Sequence, residues 1–199
     1  MSRVSCWITA AALVVGWVVL EAATVSPQNA EVFAKKVASI RRQGDAGDRP
    51  AARRTALTQD ELNSWFQFQG QPYLPRGLSA PEVTILGDGR VSGQAVVDLE
   101  VIGKRRSSGA TLDPWNLLGG RVPVSVAGIL HTREGMARFE VQVAQISGLP
   151  VPAAFLQELV GYYSRTPDRP QGVRLDDTFR LPANIREIQV GQGQAIVVQ

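Results

Sequence analysis

Few side chains in this 199-residue chain are suited to catalysis, and they are scattered. The single histidine, His131, ends a run of alternating apolar residues and precedes a predicted turn. A catalytic histidine needs an orienting partner, so we interpret His131 as a solvated turn residue rather than a general base. The single cysteine, Cys6, lies in the N-terminal segment interpreted below as a signal. Without that segment, the lone histidine has no cysteine with which to form the usual zinc site. We therefore expect neither a metal nor a cofactor.

The carboxylates form three pairs that are close in sequence: Asp60/Glu61, Asp98/Glu100 and Asp176/Asp177. Asp98 and Glu100 are two residues apart on a predicted strand, so their side chains point to the same face of the sheet. A glycosidase-like carboxylate pair there is an open alternative, and an envelope hydrolase based on Asp98, Glu100 or His131 is our second alternative function. Asp176 and Asp177 are interpreted as charges that protect an edge strand from aggregation.

The N-terminal 26 residues have the pattern of a secretory signal. Arg3 precedes a run without charges from Trp7 to Leu20, which is followed by Glu21 and mostly small residues. A positive start, a short apolar core and a small-residue exit are typical of signal peptides, and the core is shorter than the roughly 20 residues of a full span. We predict a signal peptide over residues 1–26, with an uncleaved anchor as the alternative. Residues 27–199 are then a single exported domain, in the periplasm or at the outer face of the inner membrane.

The composition favours a globular domain and argues against a nucleic-acid partner. Hydrophobic residues make up 44% of the chain and charged residues 20%, so a folded core is expected. The net charge of +3 is a small excess, which is weak support for nucleic-acid binding. The densest basic cluster contains four candidates for contact with an anionic membrane surface, although we favour a solvated helix face as their explanation: Lys35, Lys36, Arg41 and Arg42.

The periodicity of apolar residues predicts three helices and several hairpins. Helical spacing covers residues 28–43, 57–69 and 152–164, and the second helix begins with a Thr58–Glu61 capping box. Residues 44–54 are interpreted as an exposed loop. Alternating patterns predict strands over residues 82–86, 91–102, 122–130, 139–143, 173–181, 185–190 and 195–198. The predicted fold class is α+β, with a long curved antiparallel sheet built of hairpins and packed against two or three helices.

Aromatic residues are concentrated on the predicted helices, whereas the strands carry mainly valine, alanine, glycine and isoleucine. A sheet face of small aliphatic residues opposite aromatic helices could enclose an apolar groove, although ordinary helix-on-sheet packing has the same pattern. The candidate groove lining is Trp65, Phe66, Trp115, Leu118, Phe155, Leu159 and Tyr163.

Two short apolar motifs carry a resemblance to a known family. The first consists of Leu57, Thr58, Glu61, Leu62 and Asn63, and the second of Leu181, Pro182, Ile185, Ile188, Val190 and Gly193. With the hairpins between them, they resemble bacterial envelope proteins of the tubular lipid-binding (TULIP-like) kind. The hairpins are also similar to repeats of the larger AsmA-like envelope proteins. The resemblance implies an apolar groove for acyl chains and no catalytic residues.

These observations predict an exported, non-enzymatic protein that binds or carries a lipid or another apolar small molecule. The first alternative is a membrane-associated structural or assembly factor of the envelope that uses the sheet to contact a protein partner.

Overall fold

A computed structural model of the protein describes residues 25–46, 52–98, 120–163, 165 and 170–199; the side chains of residues 153, 155, 159, 162 and 163 lie outside that description. The helices in this part of the chain are α1 (Pro27–Asp45), α2 (Gln59–Phe68) and α3 (Ala153–Tyr163), with a short 3-10 helix at Gln71–Tyr73. The strands are β1 (Arg54–Thr58), β2 (Leu78–Gly87), β3 (Arg90–Asp98), β4 (Arg121–Arg133), β5 (Met136–Ile146), β6 (Leu149–Pro150), β7 (Phe179–Arg180), β8 (Glu187–Gly191) and β9 (Gln194–Val198). The predicted α+β class is confirmed.

The larger sheet is antiparallel and open. Its strand order is β2-β3-β4-β5-β6, and β7 also pairs with β5. The β2–β3 and β4–β5 hairpins lie where the alternating patterns predicted them, and both turns contain residues with positive φ, as two-residue hairpin turns require: Asp88, Gly89, Glu134 and Gly135. The prediction of one strand over 173–181 is wrong, because only Phe179–Arg180 pairs with β5 and residues 175–176 form a turn. Of the strand predicted over 91–102, residues 99–102 lie outside the described part.

A second, three-stranded sheet was not predicted. Its order is β1-β9-β8, and β1 pairs with β9 in continuous register from Arg54↔Val198 to Thr58↔Gln194. The predicted exposed loop therefore ends before Arg54, and the chain forms a strand before α2. Strand formation depends strongly on the partner strand, which here lies at the other end of the sequence.

The larger sheet has one apolar and one mainly polar face. Ile85, Val122, Ala137 and Ala144 are the most buried residues of the apolar face. A β-bulge in β5 maintains this pattern, since Ala127 pairs with Val143 and Gly128 with Val141, which leaves one extra residue between them. The extra residue brings Ala144 to the same face as Val141.

A small core joins the two sheets to α1. It contains Ile40 of α1, Ala137 of β5, Val197 of β9, and Leu181 and Ile185 of the segment between β7 and β8. These residues come from opposite ends of the chain, so the C-terminal hairpin is part of the core of the domain.

Helix α2 covers the free edge of β2 with two amide side chains. Asn63 donates from Nδ2 to the Val83 carbonyl oxygen and accepts the Val83 N–H at Oδ1, both at 2.8 Å. Gln59 Oε1 accepts the Ile85 N–H at 2.8 Å. An exposed edge strand is a template for aggregation, and these contacts satisfy its backbone groups.

We expect Asn63→Ala to lower the free energy of unfolding by about 2 kcal/mol, because it leaves two part-buried backbone groups of Val83 without their partners. Urea unfolding of the variant measures the change. Gln67→Ala, at an exposed position of the same helix, is the matched control and should change stability by less than about 0.5 kcal/mol. Equal losses in the two variants would contradict the role assigned to Asn63.

Candidate functional site

A cleft of about 300 Å³ lies between β5 and the start of α3. Its walls come from three segments of the chain: β5, the start of α3 with Val151 two residues before it, and the turn at residues 175–176. The lining residues are Arg138, Phe139, Glu140, Val141, Gln142, Ala144, Val151, Leu156, Leu175 and Asp176.

Strand β5 supplies the apolar floor of the cleft. Phe139 and Val141 are half-buried and alternate along the strand, and the bulge places the buried Ala144 beside them on the same face. The Val151 N–H donates to the Ala144 carbonyl oxygen at 2.8 Å, which fixes the chain entering α3 against this floor. The half-buried Leu156 completes the helix side.

The third wall is attached to α3 by a side-chain amide and a glycine contact. Gln157 donates from Nε2 to the Val173 carbonyl oxygen at 3.2 Å, and its Oε1 accepts the Leu175 N–H at 2.7 Å. Gly172 has φ +76° and lies so close to α3 that a Cβ there would overlap with the Gly161 carbonyl oxygen. The turn carrying Leu175 is therefore held against the helix.

Exposed charges surround the rim of the cleft. Arg174 contacts Asp176 through Nε at 3.1 Å, and its backbone N–H donates to Asp177 Oδ2 at 2.9 Å. The hydrogen bond from Arg174, reinforced by its charge and that of Arg138, holds the pKa of Asp176 below its usual value. Asp176 and Asp177 thus belong to a hydrogen-bonded turn, and their interpretation as edge-strand charges is wrong.

The structure places two of the predicted groove residues away from this cleft. Trp65 lies in an aromatic cluster with Phe33, Phe66 and Tyr73, at ring-centre distances of 5.6, 5.5 and 5.7 Å. Neither Trp65 nor Phe66 lines the cleft beside α3. Three further candidates, Phe155, Leu159 and Tyr163, belong to α3, but their side chains lie outside the description. Trp115 and Leu118 lie outside the described residues.

Lys36 does not belong with the surface cations. Its Nζ lies 2.6 and 2.8 Å from the two carboxylate oxygens of Glu61 and donates to the Ala56 carbonyl oxygen at 2.8 Å. Lys36 therefore connects α1 to α2 and β1, which corrects its prediction as a headgroup contact. Lys35, Arg41 and Arg42 are exposed, as a surface contact would require.

His131 has a partner that local sequence did not show. Its Nε2 lies 3.0 Å from Glu140 Oε2, and Arg138 also contacts this carboxylate at 3.4 Å. His131, but not Glu140, lines a second, wider cleft of about 650 Å³ between the β4–β5 hairpin and β8, and the two side chains are each about half exposed.

Two of the candidates for a hydrolase, Asp98 and His131, lie far apart. Asp98 pairs with Arg121 at the start of β4, whereas His131 lies near its end. Ten residues of extended strand separate these positions by about 33 Å. Asp98 and His131 therefore do not act on one substrate atom, and Glu100 lies outside the described residues.

No protein-family model matches the chain, and no match was found among curated proteins or solved structures. The resemblance to TULIP-like proteins therefore stays a prediction. Among the described residues, no group of three or more His, Cys, Asp and Glu side chains has an arrangement suited to a metal ion. None of the helices in this part of the chain combines the length and the apolar character that crossing a bilayer demands.

Proposed function

We propose that this protein is an exported, non-enzymatic binding protein that holds an acyl chain or a similar apolar ligand in the cleft between β5 and α3. The observation that carries the proposal is the apolar cleft itself. Its volume of about 300 Å³ lies at the lower end of the range for small-molecule sites, which is about 300–1,000 Å³.

The distribution of polar groups supports an elongated ligand with one polar end. Phe139, Val141 and Ala144 form the floor, where a polar ligand group without a partner would be destabilised. Arg138 and Asp176 lie exposed at the rim, where a headgroup or carboxylate would remain hydrated. A single acyl chain fits this division between floor and rim.

Export is supported by Arg3 and the uncharged run from Trp7 to Leu20. The TULIP-like resemblance supports the same ligand class. Together these features favour a periplasmic protein, or one at the outer face of the inner membrane.

Val141→Arg tests the proposal, because it places a charge on the floor of the cleft. We expect the full chain to bind a fluorescent fatty acid such as parinaric acid, and the variant to bind it at least tenfold more weakly. Native mass spectrometry followed by organic extraction identifies any lipid that co-purifies.

Val143→Arg is the matched control, since Val143 lies two residues away, is 51% exposed and does not line the cleft. Lipid held by the N-terminal apolar run is common to all variants, so it cancels in the comparison. Ala144→Leu fills the cleft without a charge and should also weaken binding. This variant tests the proposal in case Val141→Arg fails to fold. A wild-type chain that takes up no fatty acid, or equal binding in all variants, would refute the proposal.

The alternative is a membrane-associated structural or assembly factor. It is favoured by exposed apolar side chains on β5 and on the two short strands paired with it: Val143, Leu149 and Phe179. These could contact a protein of the envelope. A chain that stays free of ligand after incubation with membrane lipids would favour this function.

A further inference from the structure

The described chain exposes an apolar surface next to its N-terminal end. We define the aromatic rim as Trp65 with the exposed Val25, Phe68 and Tyr73. Tyr73 is 78% exposed although its ring stacks on Trp65, and Phe68 is 46% exposed. Large aromatic side chains left this open indicate a surface that contacts something apolar.

Contacts between the helices place Val25, Trp65 and Phe68 at one end of the α1–α2 pair, and Tyr73 stacks on Trp65. The Ser26 N–H donates to Ser64 Oγ at 3.1 Å, and Phe33 lies 5.6 Å from Trp65 between ring centres. The start of α1 therefore lies beside the last turns of α2. Phe68 follows Trp65 by three residues and shares its face of the helix.

The position of the rim along the chain indicates what it contacts. Val25 follows Leu20, the last residue of the uncharged run, by five residues. When the run is retained as an anchor, five extended residues span at most about 18 Å, so the rim stays close to the bilayer that contains the run.

We propose that the aromatic rim is the surface with which the full chain rests on a phospholipid bilayer. Tyrosine and tryptophan prefer the boundary between headgroups and acyl chains, because their rings are apolar and their N–H and O–H groups stay hydrated. An exposed cation lies next to the rim in sequence, since Arg76 follows Tyr73 by three residues. It suits an anionic headgroup layer. This proposal is independent of ligand binding in the cleft, which lies against β5.

Site-specific fluorescence on the full chain tests the proposal. Cys6→Ser removes the only cysteine, and Gln71→Cys provides a label at an exposed position two residues from Tyr73. Glu134→Cys, in the exposed β4–β5 turn, is the control position. The chain is bound to phosphatidylcholine–phosphatidylglycerol vesicles that contain a nitroxide-labelled lipid.

We expect the nitroxide lipid to quench the label at residue 71 at least threefold more strongly than the label at residue 134. Adding Phe68→Ser and Tyr73→Ser should reduce quenching at residue 71 to the level of the control. Equal quenching at both positions on vesicle-bound protein would overturn the proposal. So would a label at residue 71 that is shielded from water but not quenched, because a protein or a second copy would then cover the rim.

Discussion

Replacing Lys36 with methionine is expected to lower the free energy of unfolding by about 2–3 kcal/mol. Glu61 is only 8% exposed, and the Lys36 ammonium is its charged partner in α1. The variant leaves this carboxylate buried without a cation and also removes a hydrogen bond to the Ala56 carbonyl oxygen. The expected loss is smaller than the 3–5 kcal/mol typical of a fully buried pair, because the Lys36 side chain is 30% exposed.

Urea unfolding of Lys36→Met measures this loss, and Lys35→Met is the matched control. Lys35 precedes Lys36 on the same helix, its side chain is 79% exposed, and its contact with Glu31 spans 3.6 Å. An exposed pair of this kind contributes less than about 0.5 kcal/mol. A Lys36→Met variant as stable as Lys35→Met would show that the Lys36–Glu61 contact does not stabilise the helix pair.

A Gly172→Ala substitution is expected to open the cleft and to weaken fatty-acid binding at least tenfold. The new Cβ would overlap with the Gly161 carbonyl oxygen, so the segment that carries Leu175 has to move away from α3. Gln157 then loses its hydrogen bonds to Val173 and Leu175, and the third wall of the cleft is lost. The amide of Leu175 should consequently exchange with solvent at least tenfold faster, which hydrogen exchange measures without any ligand.

Gly148→Ala is the control that separates the steric overlap at residue 172 from the cost of a left-handed backbone conformation in alanine. Gly148 has φ +79°, close to the +76° of Gly172, but a Cβ there meets nothing within 4 Å. Both variants carry the left-handed penalty of about 1–2 kcal/mol, and only Gly172→Ala adds the overlap. Unchanged hydrogen exchange at Leu175 in Gly172→Ala would refute the packing of the Leu175 turn against α3. Faster exchange with unchanged fatty-acid binding would refute only the cleft as the ligand site.

Local signals in the sequence predicted the elements whose interactions span a few residues. The capping box is present, with Thr58 Oγ1 accepting the Glu61 N–H at 3.2 Å and Glu61 Oε2 accepting the Thr58 N–H at 3.1 Å. The hairpin turns at Asp88–Gly89 and near Gly193 also lie where glycine predicted them. Such features depend on residues that are neighbours in the sequence, so the local sequence is enough to predict them.

The candidate site was predicted less well. A groove between sheet and helices was expected, but two aromatic residues proposed for its lining lie elsewhere. Trp65 contacts Phe33 of α1, and Phe66 contacts Trp65 within α2. The cleft floor consists of strand residues. The alternation of Phe139, Val141 and Val143 predicted one shared face, but the β5 bulge places Ala144 on the floor and leaves Val143 exposed outside it. Which part of that face remains open depends on where α3 and the Leu175 turn pack.

The sequence alone determined the α+β class, the hairpins and the start of α2, because periodicity and capping act over one or two turns of chain. Only the tertiary structure decided that β1 pairs with β9, that Lys36 binds Glu61 and that Gly172 lies against Gly161. Each of these contacts joins segments far apart in the chain. Their geometry follows from the joint packing of many side chains, and no local pattern contains that information.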